Sequence, residues 1–413
     1  MFPTRRDFLR NSSLIAWGLS VPGFLGRTAH AAPTADQKGA KDTILVVVQL
    51  TGGNDGLNTV VPHADPNYAK LRPTLKLSAA QLKKIDDSTG LHPSMDGLAS
   101  LLENQQLCIV QGVGYPNPTQ SHFDSMDIWQ AGTTAALKEK VAEGWVGKAL
   151  KGMPAAPSFH LAASNEEAPK ALAGAPVRVP SITSLEDFQL KTAAASGRDA
   201  RDQKDIIEGS AQGATSGKPN LLDFVQRTAL DTYASSKRLQ ELGKNYQPKV
   251  PYPNTPLANR LKLAAQLIDA NIGARVFYVS QGGYDTHANQ LTAHAALLKA
   301  LSDAITAFTK DLSARGHKDR LLVMTFSEFG RRPYENSSKG TDHGAAAPML
   351  LIGNKVKAGL VGQQPSLSEA DFGNLKHHTD FRQVYATVLD QWLGVASKDV
   401  LGQEFKGVEL FKG

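Results

Sequence analysis

Apolar residues in this chain gather in short unbroken runs of valine, isoleucine and leucine, and glycine-rich polar loops follow those runs. Residues 43–50 (TILVVVQL) and 107–113 (LCIVQGV) read as strands buried on both faces of a parallel sheet, since neither alternates as a solvent-washed face requires. Residues 274–280, 321–326 and 349–352 read the same way, and 157–162 and 175–180 as shorter extended segments. Apolar spacings of three and four predict helices over 95–104, 221–242 and 257–270, and from the loop at 281–287 towards Ala314. A closing helix is predicted over 380–393, with Asp380 as its N-cap. Strands alternating with helices predict an α/β fold, a doubly wound, mostly parallel sheet flanked by helices. From about 193 to 217 the composition turns to Ala, Gly, Ser and charge, and 246–256 is proline-rich. Residues 185–256 are therefore expected to form a helical cap inserted in a main domain of 42–413.

The first residues differ from all of this. Thr4-Arg5-Arg6-Asp7-Phe8-Leu9-Arg10 resembles a twin-arginine export signal, followed by a mildly apolar stretch over 14–25 and by Ala29-His30-Ala31, a small-x-small cleavage pattern. The apolar stretch falls short of the ~20 residues needed to span a bilayer. Residues 1–31 are expected to be the signal, cut near Ala31, and 32–41 a linker. The mature chain is then expected outside the cytoplasm, periplasmic or extracellular, exported folded and not an integral membrane protein.

Composition narrows the choice of chemistry. With 41% hydrophobic and 20% charged residues the chain is a folded globular protein, not a disordered one. One cysteine, Cys108, excludes an intramolecular disulfide and any zinc cage built on thiolates. The net charge of +6 raises nucleic acid as a partner, yet residues 1–31 carry four arginines against Asp7, half of that charge. The remaining lysines and arginines are interleaved with acids, so no nucleic-acid partner is expected.

No P-loop, His-Glu-x-x-His, Gly-x-Ser-x-Gly or Cys-x-Pro-x-Arg pattern occurs. What stands out is a series of polar clusters, each placed just after a predicted strand: Asn54/Asp55, Ser121/His122/Asp124, Asp285/His287, Glu328 with Arg331, and Asp342/His343. Carboxylates and imidazoles gathered at one sheet edge are what one or two divalent ions (Zn, Mn, Mg or Ca) need, and ligands bind at that edge of open α/β sheets. A hydroxyl such as Ser121 beside a metal is a candidate nucleophile, with Thr119 a competitor and His122 a residue that orients a neighbour. Arg331 is a candidate grip for tetrahedral oxyanions. Each residue also has a structural alternative: Asp55 as a turn former, Asp285 as a helix cap, Glu328 as the ion-pair partner of an arginine.

Five ordered stretches carry a family likeness. They are Gln49-Leu50-x-Gly52-Gly53-Asn54-Asp55-Gly56-Leu57-Asn58, Ser121-His122-Phe123 with Trp129 behind it, Gly283-Tyr284-Asp285-Thr286-His287, Ser327-Glu328-Phe329-Gly330-Arg331, and Gly340-Thr341-Asp342-His343-Gly344. On these the chain resembles the bacterial domain-of-unknown-function 1501 family, which is placed in the alkaline phosphatase/sulfatase superfamily. The resemblance implies an alkaline-phosphatase-like fold. It implies Asp285, His287 and His343 as first-metal ligands, Asp55 and Glu328 for a second metal, and Ser121 at the nucleophile position. The first predicted strand ends in Gln49-Leu50-Thr51, without the superfamily's immediate ligand Asp, and Glu328-Phe329 stands where Asp-His is usual. The expectation is an exported metal-dependent hydrolase acting on a small anionic ester or a sulfated or phosphorylated glycan. Its competitor is a binding or assembly protein that kept the fold without the chemistry.

Overall fold

The computed structural model describes residues 42–137, 141–153, 158–164, 166–177, 179–185, 245–369 and 373–413. The expected signal and linker, the predicted helix over 221–242 and residues 186–244 of the expected cap over 185–256 lie outside the described residues.

Strand β1 (Ile44–Leu50) is buried along its whole length. Ile44, Val46, Val48 and Leu50 enter one core while Leu45 and Val47 enter the other, as the two-residue period of a strand requires when both faces are covered. Each such side chain contributes roughly 1.5–3 kcal/mol on burial. That gain is available on both faces, which is why the run carries no polar alternation.

The remaining strands are β2 (Val60–Val61), β3 (Lys83–Lys84), β4 (Gly90–Leu91), β5 (Leu107–Gly114), β6 (Ser158–Leu161), β7 (Ser181–Ile182), β8 (Val276–Gln281), β9 (Leu321–Ser327), β10 (Ala347–Ile352), β11 (Gly359–Gly362) and β12 (Thr379–Asp380). The large sheet runs β11-β5-β10-β9-β1-β8-β6-β7, with β12 also on β5, and β2, β4 and β3 form a small antiparallel sheet apart from it. Within the large sheet β10 is antiparallel to both β9 and β5, and the other pairings among the described residues are parallel. The mostly parallel, doubly wound sheet is thus as expected, with one reversed strand inside it. The extended segment expected at 175–180 forms its strand slightly later, at Ser181–Ile182.

Helices cover both faces. Leu98 and Leu101 from Asp96–Glu103, Leu257 and Leu261 from Pro256–Asp269, and Leu298, Ile305 and Phe308 from Gln290–Ala314 pack in one core. Ile128 and Trp129 from His122–Ala131, Trp145 from Trp145–Lys151, and Phe381 and Tyr385 from Phe381–Thr387 pack in the other. Asp380 caps that last helix as predicted, in a capping box with Gln383, and a π-helical stretch, Val388–Leu393, continues it. No helix among the described residues is long and apolar enough to cross a membrane.

Candidate metal centre

The sheet topology explains why residues far apart in the chain meet. β1, β5, β8 and β9 all end at one edge, and the loops leaving them carry Gly52 and Asp55, Gln120 to His122, Asp285 and His287, and Glu328 and Arg331. The reversed strand β10 begins at that same edge, which delivers His343 from the preceding loop. Gly52 and Gly53 allow the closest approach. Both have positive φ (120° and 79°), and a side chain on Gly52 would collide with the backbone of Asp285, on Gly53 with the ring of Phe329.

Three imidazoles and a carboxylate converge there. His122, Asp285 and His343 present ligand atoms that all lie within 4.8 Å of one another. His287 joins them, its Nε2 3.0 Å from Asp285 Oδ1 and 3.0 Å from His343 Nε2. His343 Nε2 is itself 3.1 Å from Asp285 Oδ1, and His122 Nε2 is 3.5 Å from Asp285 Oδ2.

The opposite ring nitrogens determine what these atoms can do. His343 Nδ1 lies 2.8 Å from the carbonyl oxygen of Gln120, His122 Nδ1 2.8 Å from Glu328 Oε1, and His287 Nδ1 3.3 Å from Asp342 Oδ1. Carbonyl and carboxylate oxygens accept, so an Nδ1–H on each ring satisfies its outer acceptor and leaves the Nε2 lone pair able to face a cation beside Asp285. Lone pairs and a carboxylate facing one another repel unless positive charge lies among them. An outward imidazole N–H held by an acceptor, with the inward nitrogen bare, is the arrangement of metal-ligating histidines. The residues present therefore fit one cation.

The acceptors behind the rings are themselves fixed. Glu328 is fully buried, and its carboxylate accepts from Gly52 N–H (2.7 Å) and from the Ser327 hydroxyl (3.1 Å). Asp342 accepts from Asn336 (3.1 Å), and that bond chiefly holds its carboxyl below the ordinary range. His122 opens the helix His122–Ala131, whose Trp129 stacks on Phe381 with centroids 4.4 Å apart and whose Ser125 hydroxyl donates to the Glu328 carbonyl. Packing in the core thus sets the position of a ring at the sheet edge. The buried Phe329 ring lies 4.9 Å from the His122 ring and 4.6 Å from that of His343.

Arg331, expected to grip a substrate oxyanion, is turned into the protein. Its side chain is fully buried, donating to the carbonyls of Gly53 (2.8 Å), Thr341 (2.8 Å), Tyr284 (3.1 Å) and Gly52, and to Asp285 Oδ1 at 2.6 Å. It ties together the loops that carry the centre. Burial tends to raise the Asp285 carboxyl, but the Arg331 guanidinium, by its bond and its charge, chiefly outweighs it and holds the group at about 2.

The structure does not bring Asp55 to the cluster. Its carboxylate is fully buried and bound to Arg72 Nη1 at 2.6 Å and to Gln290. Burial pushes this carboxyl up, and Arg72 more than reverses that, keeping it below the ordinary range. With Asp55 paired and Glu328 occupied behind His122, the two carboxylates expected for a second metal are both committed elsewhere. Ser121 lies between two residues of the centre, Gln120 and His122, but its hydroxyl caps the helix, accepting from Asp124 N–H at 3.4 Å. The Gln120 carbonyl, Asn336 and Arg72 escaped the sequence reading, because backbone acceptors and residues in irregular loops carry no spacing signal.

Among solved structures, the chain is similar to a lipoteichoic acid synthase from Listeria monocytogenes, at 9% identity over 94% of this chain and 82% of that one, with a TM-score of 0.40. A phosphonate monoester hydrolase of Agrobacterium radiobacter matches at 10% identity over 87% and 78%, TM-score 0.38. A protein in the alkaline phosphatase superfamily from Vibrio parahaemolyticus matches at 11% over 83% and 70%, TM-score 0.33. No curated protein matches the sequence. The family model described as "Protein of unknown function (DUF1501)" matches residues 40–403, nearly the whole main domain, and the chain belongs to that family.

Proposed function

We propose that this protein is an exported hydrolase of phosphate or sulfate esters that works with one divalent metal of the zinc type. The observation that carries the proposal is the common orientation of His122, His287 and His343, each with its Nδ1–H held by an acceptor and its Nε2 turned to Asp285. Three imidazoles and one carboxylate favour zinc or a neighbouring transition ion over magnesium or calcium, which take oxygen donors. A divalent ion there acidifies a neighbouring hydroxyl or water and draws charge from the ester oxygens.

The protein's own residues do the rest. Glu328 and Asp342 keep the rings of His122 and His287 oriented, and Asp285 balances charge while Arg331 fixes its carboxylate. Ser121 is the attacking hydroxyl. Its oxygen bonds to phosphorus or sulfur as the bond to the ester's alcohol breaks, and that alcohol takes up the proton. Water then cleaves the serine ester to release phosphate or sulfate. The capping bond of Ser121 is long at 3.4 Å, so turning the oxygen towards the neighbouring cluster sacrifices little. The ester is expected to be small, or carried on a glycan, and to reach the centre from the exposed side of Asp285 and His287.

The test is turnover of aryl phosphate and aryl sulfate by the metal-loaded protein. Activity lost on chelation, restored by zinc and abolished in S121A supports the whole proposal. Activity that survives complete metal removal overturns it.

A further inference from the structure

We propose that Arg332, not Arg331, binds the non-bridging oxygens of the substrate's tetrahedral anion. The inference rests on the ester hydrolase reading above for the identity of that anion.

Arg331, Arg332 and Arg72 are linked through neighbouring loops, Arg72 donating to the Arg332 carbonyl, and two of the three are saturated. Arg331 is enclosed by carbonyls and Asp285, and Arg72 donates to Asp55, Asn58 and the carbonyls of Pro333 and Arg332. Arg332 is different. Its half-buried guanidinium has one protein acceptor, the Tyr334 hydroxyl at 2.5 Å, and its Nε is buried with none. Among the described residues no carboxylate pairs with it.

Its position follows from the backbone. Arg331 and His343 face each other in a short antiparallel bridge, and Arg332 N–H donates to the Asp342 carbonyl at 3.0 Å. The positive charge of Arg332 is among those that lower the Asp342 carboxyl. Tyr334, which holds the guanidinium, lies against Gly373, where a side chain would come within 3.0 Å of the hydroxyl. The adjacent Asn374 accepts from Gln120, the residue whose carbonyl orients His343. Arg332 is thus joined to Asp342 through its backbone and to Tyr334 through its side chain, and Tyr334 in turn lies beside the Gly373–Asn374 segment that Gln120 holds.

A half-buried guanidinium with no ion-pair partner and a buried Nε that finds no acceptor is under-satisfied, and a bound anion would complete it. Its planar fork matches two oxygens of a phosphate or sulfate group, and Tyr334 fixes the fork in advance.

The experiment is calorimetric titration of inorganic phosphate and sulfate into zinc-loaded wild type, R332Q, R332K and Y334F, with metal content measured on each. R332Q is expected to weaken anion binding at least tenfold, R332K by less, and Y334F severalfold, all with wild-type metal content and thermal unfolding. If metal-free wild type still binds phosphate and metal-free R332Q does not, the anion site at Arg332 is supported independently of the metal reading, which stands or falls on whether ester hydrolysis survives metal removal. If the wild type holds zinc and hydrolyses esters while folded R332Q keeps wild-type affinity and KM, the metal reading stands and this inference is overturned.

Discussion

His287 and His343 meet Nε2 to Nε2 at 3.0 Å, and Asp285 Oδ1 lies within 3.1 Å of both. Each ring gives its other N–H to an outer acceptor, so two lone pairs and a carboxylate share one small volume. A cation resolves that conflict, and the neighbouring Arg331 guanidinium relieves part of it, with Nη2 2.6 Å from Asp285 Oδ1 and Nη1 3.5 Å from His287 Nε2.

Behind His122, Glu328 Oε1 lies 2.8 Å from the ring's Nδ1. Glu328→Gln keeps the shape but offers an amide that can present either a donor or an acceptor to Nδ1. Outer partners of metal ligands are worth 10–100-fold in affinity. Zinc affinity is expected to fall within that range, read by competition with a chromophoric chelator. An affinity equal to wild type would mean that Glu328 does not orient the ring.

The buried pair of Asp55 and Arg72 should behave as a structural element. Arg72→Met leaves a fully buried carboxylate without its counter-charge and should cost about 3–5 kcal/mol in urea unfolding. Asp55→Asn, by contrast, should leave metal content unchanged, whereas the expectation of Asp55 as a ligand requires it to fall.

Acid should destabilise the fold through two buried histidines beside that pair. Burial holds His92 and His294 at about 4, and the Asp55 carboxylate opposes this without reversing it. Both are therefore neutral when folded and protonated when unfolded between about 6.5 and 4, so the unfolded state binds more protons there. Stability contributed by these groups is full above pH 6.5 and is lost as pH falls towards 4, a change of the order of a few kcal/mol at ~1.4 kcal/mol per unit. The urea midpoint measured from pH 7.5 to 4.5 should fall accordingly, and more shallowly in H294Q. A midpoint independent of pH over that window contradicts the neutral, buried state of the two rings.

Phe123, one residue after His122, is 87% exposed and supports no core. Phe123→Ser should change unfolding stability by no more than about 0.5 kcal/mol. A loss larger than that, measured by denaturant titration, would show packing that the folded chain does not display.

Much of the sheet was legible because runs such as 44–50 are buried on both faces, and only a covered strand tolerates valine at successive positions. The reversal of β10 was not, since its apolar run looks alike in either direction. Asp285, His287 and His343 could be picked out because glycine-rich loops after strands have no packing use for such groups. Partners 206 residues apart, like His122 and Glu328, leave no spacing signal. Nor does a pair such as Asp55 and Arg72, where burial alone decides that a carboxylate is paired instead of ligating. Arg331 and Arg332 are identical in type, and only the bridge between Arg331 and His343 turns one inward and leaves the other spare.

The most direct measurement is elemental analysis of the purified protein after zinc loading and desalting, alongside H343A and D55N. The expected result is about one equivalent in wild type and D55N and almost none in H343A, as a single three-histidine centre requires. Wild type without bound metal, or two equivalents of which D55N loses one, would contradict the one-ion centre.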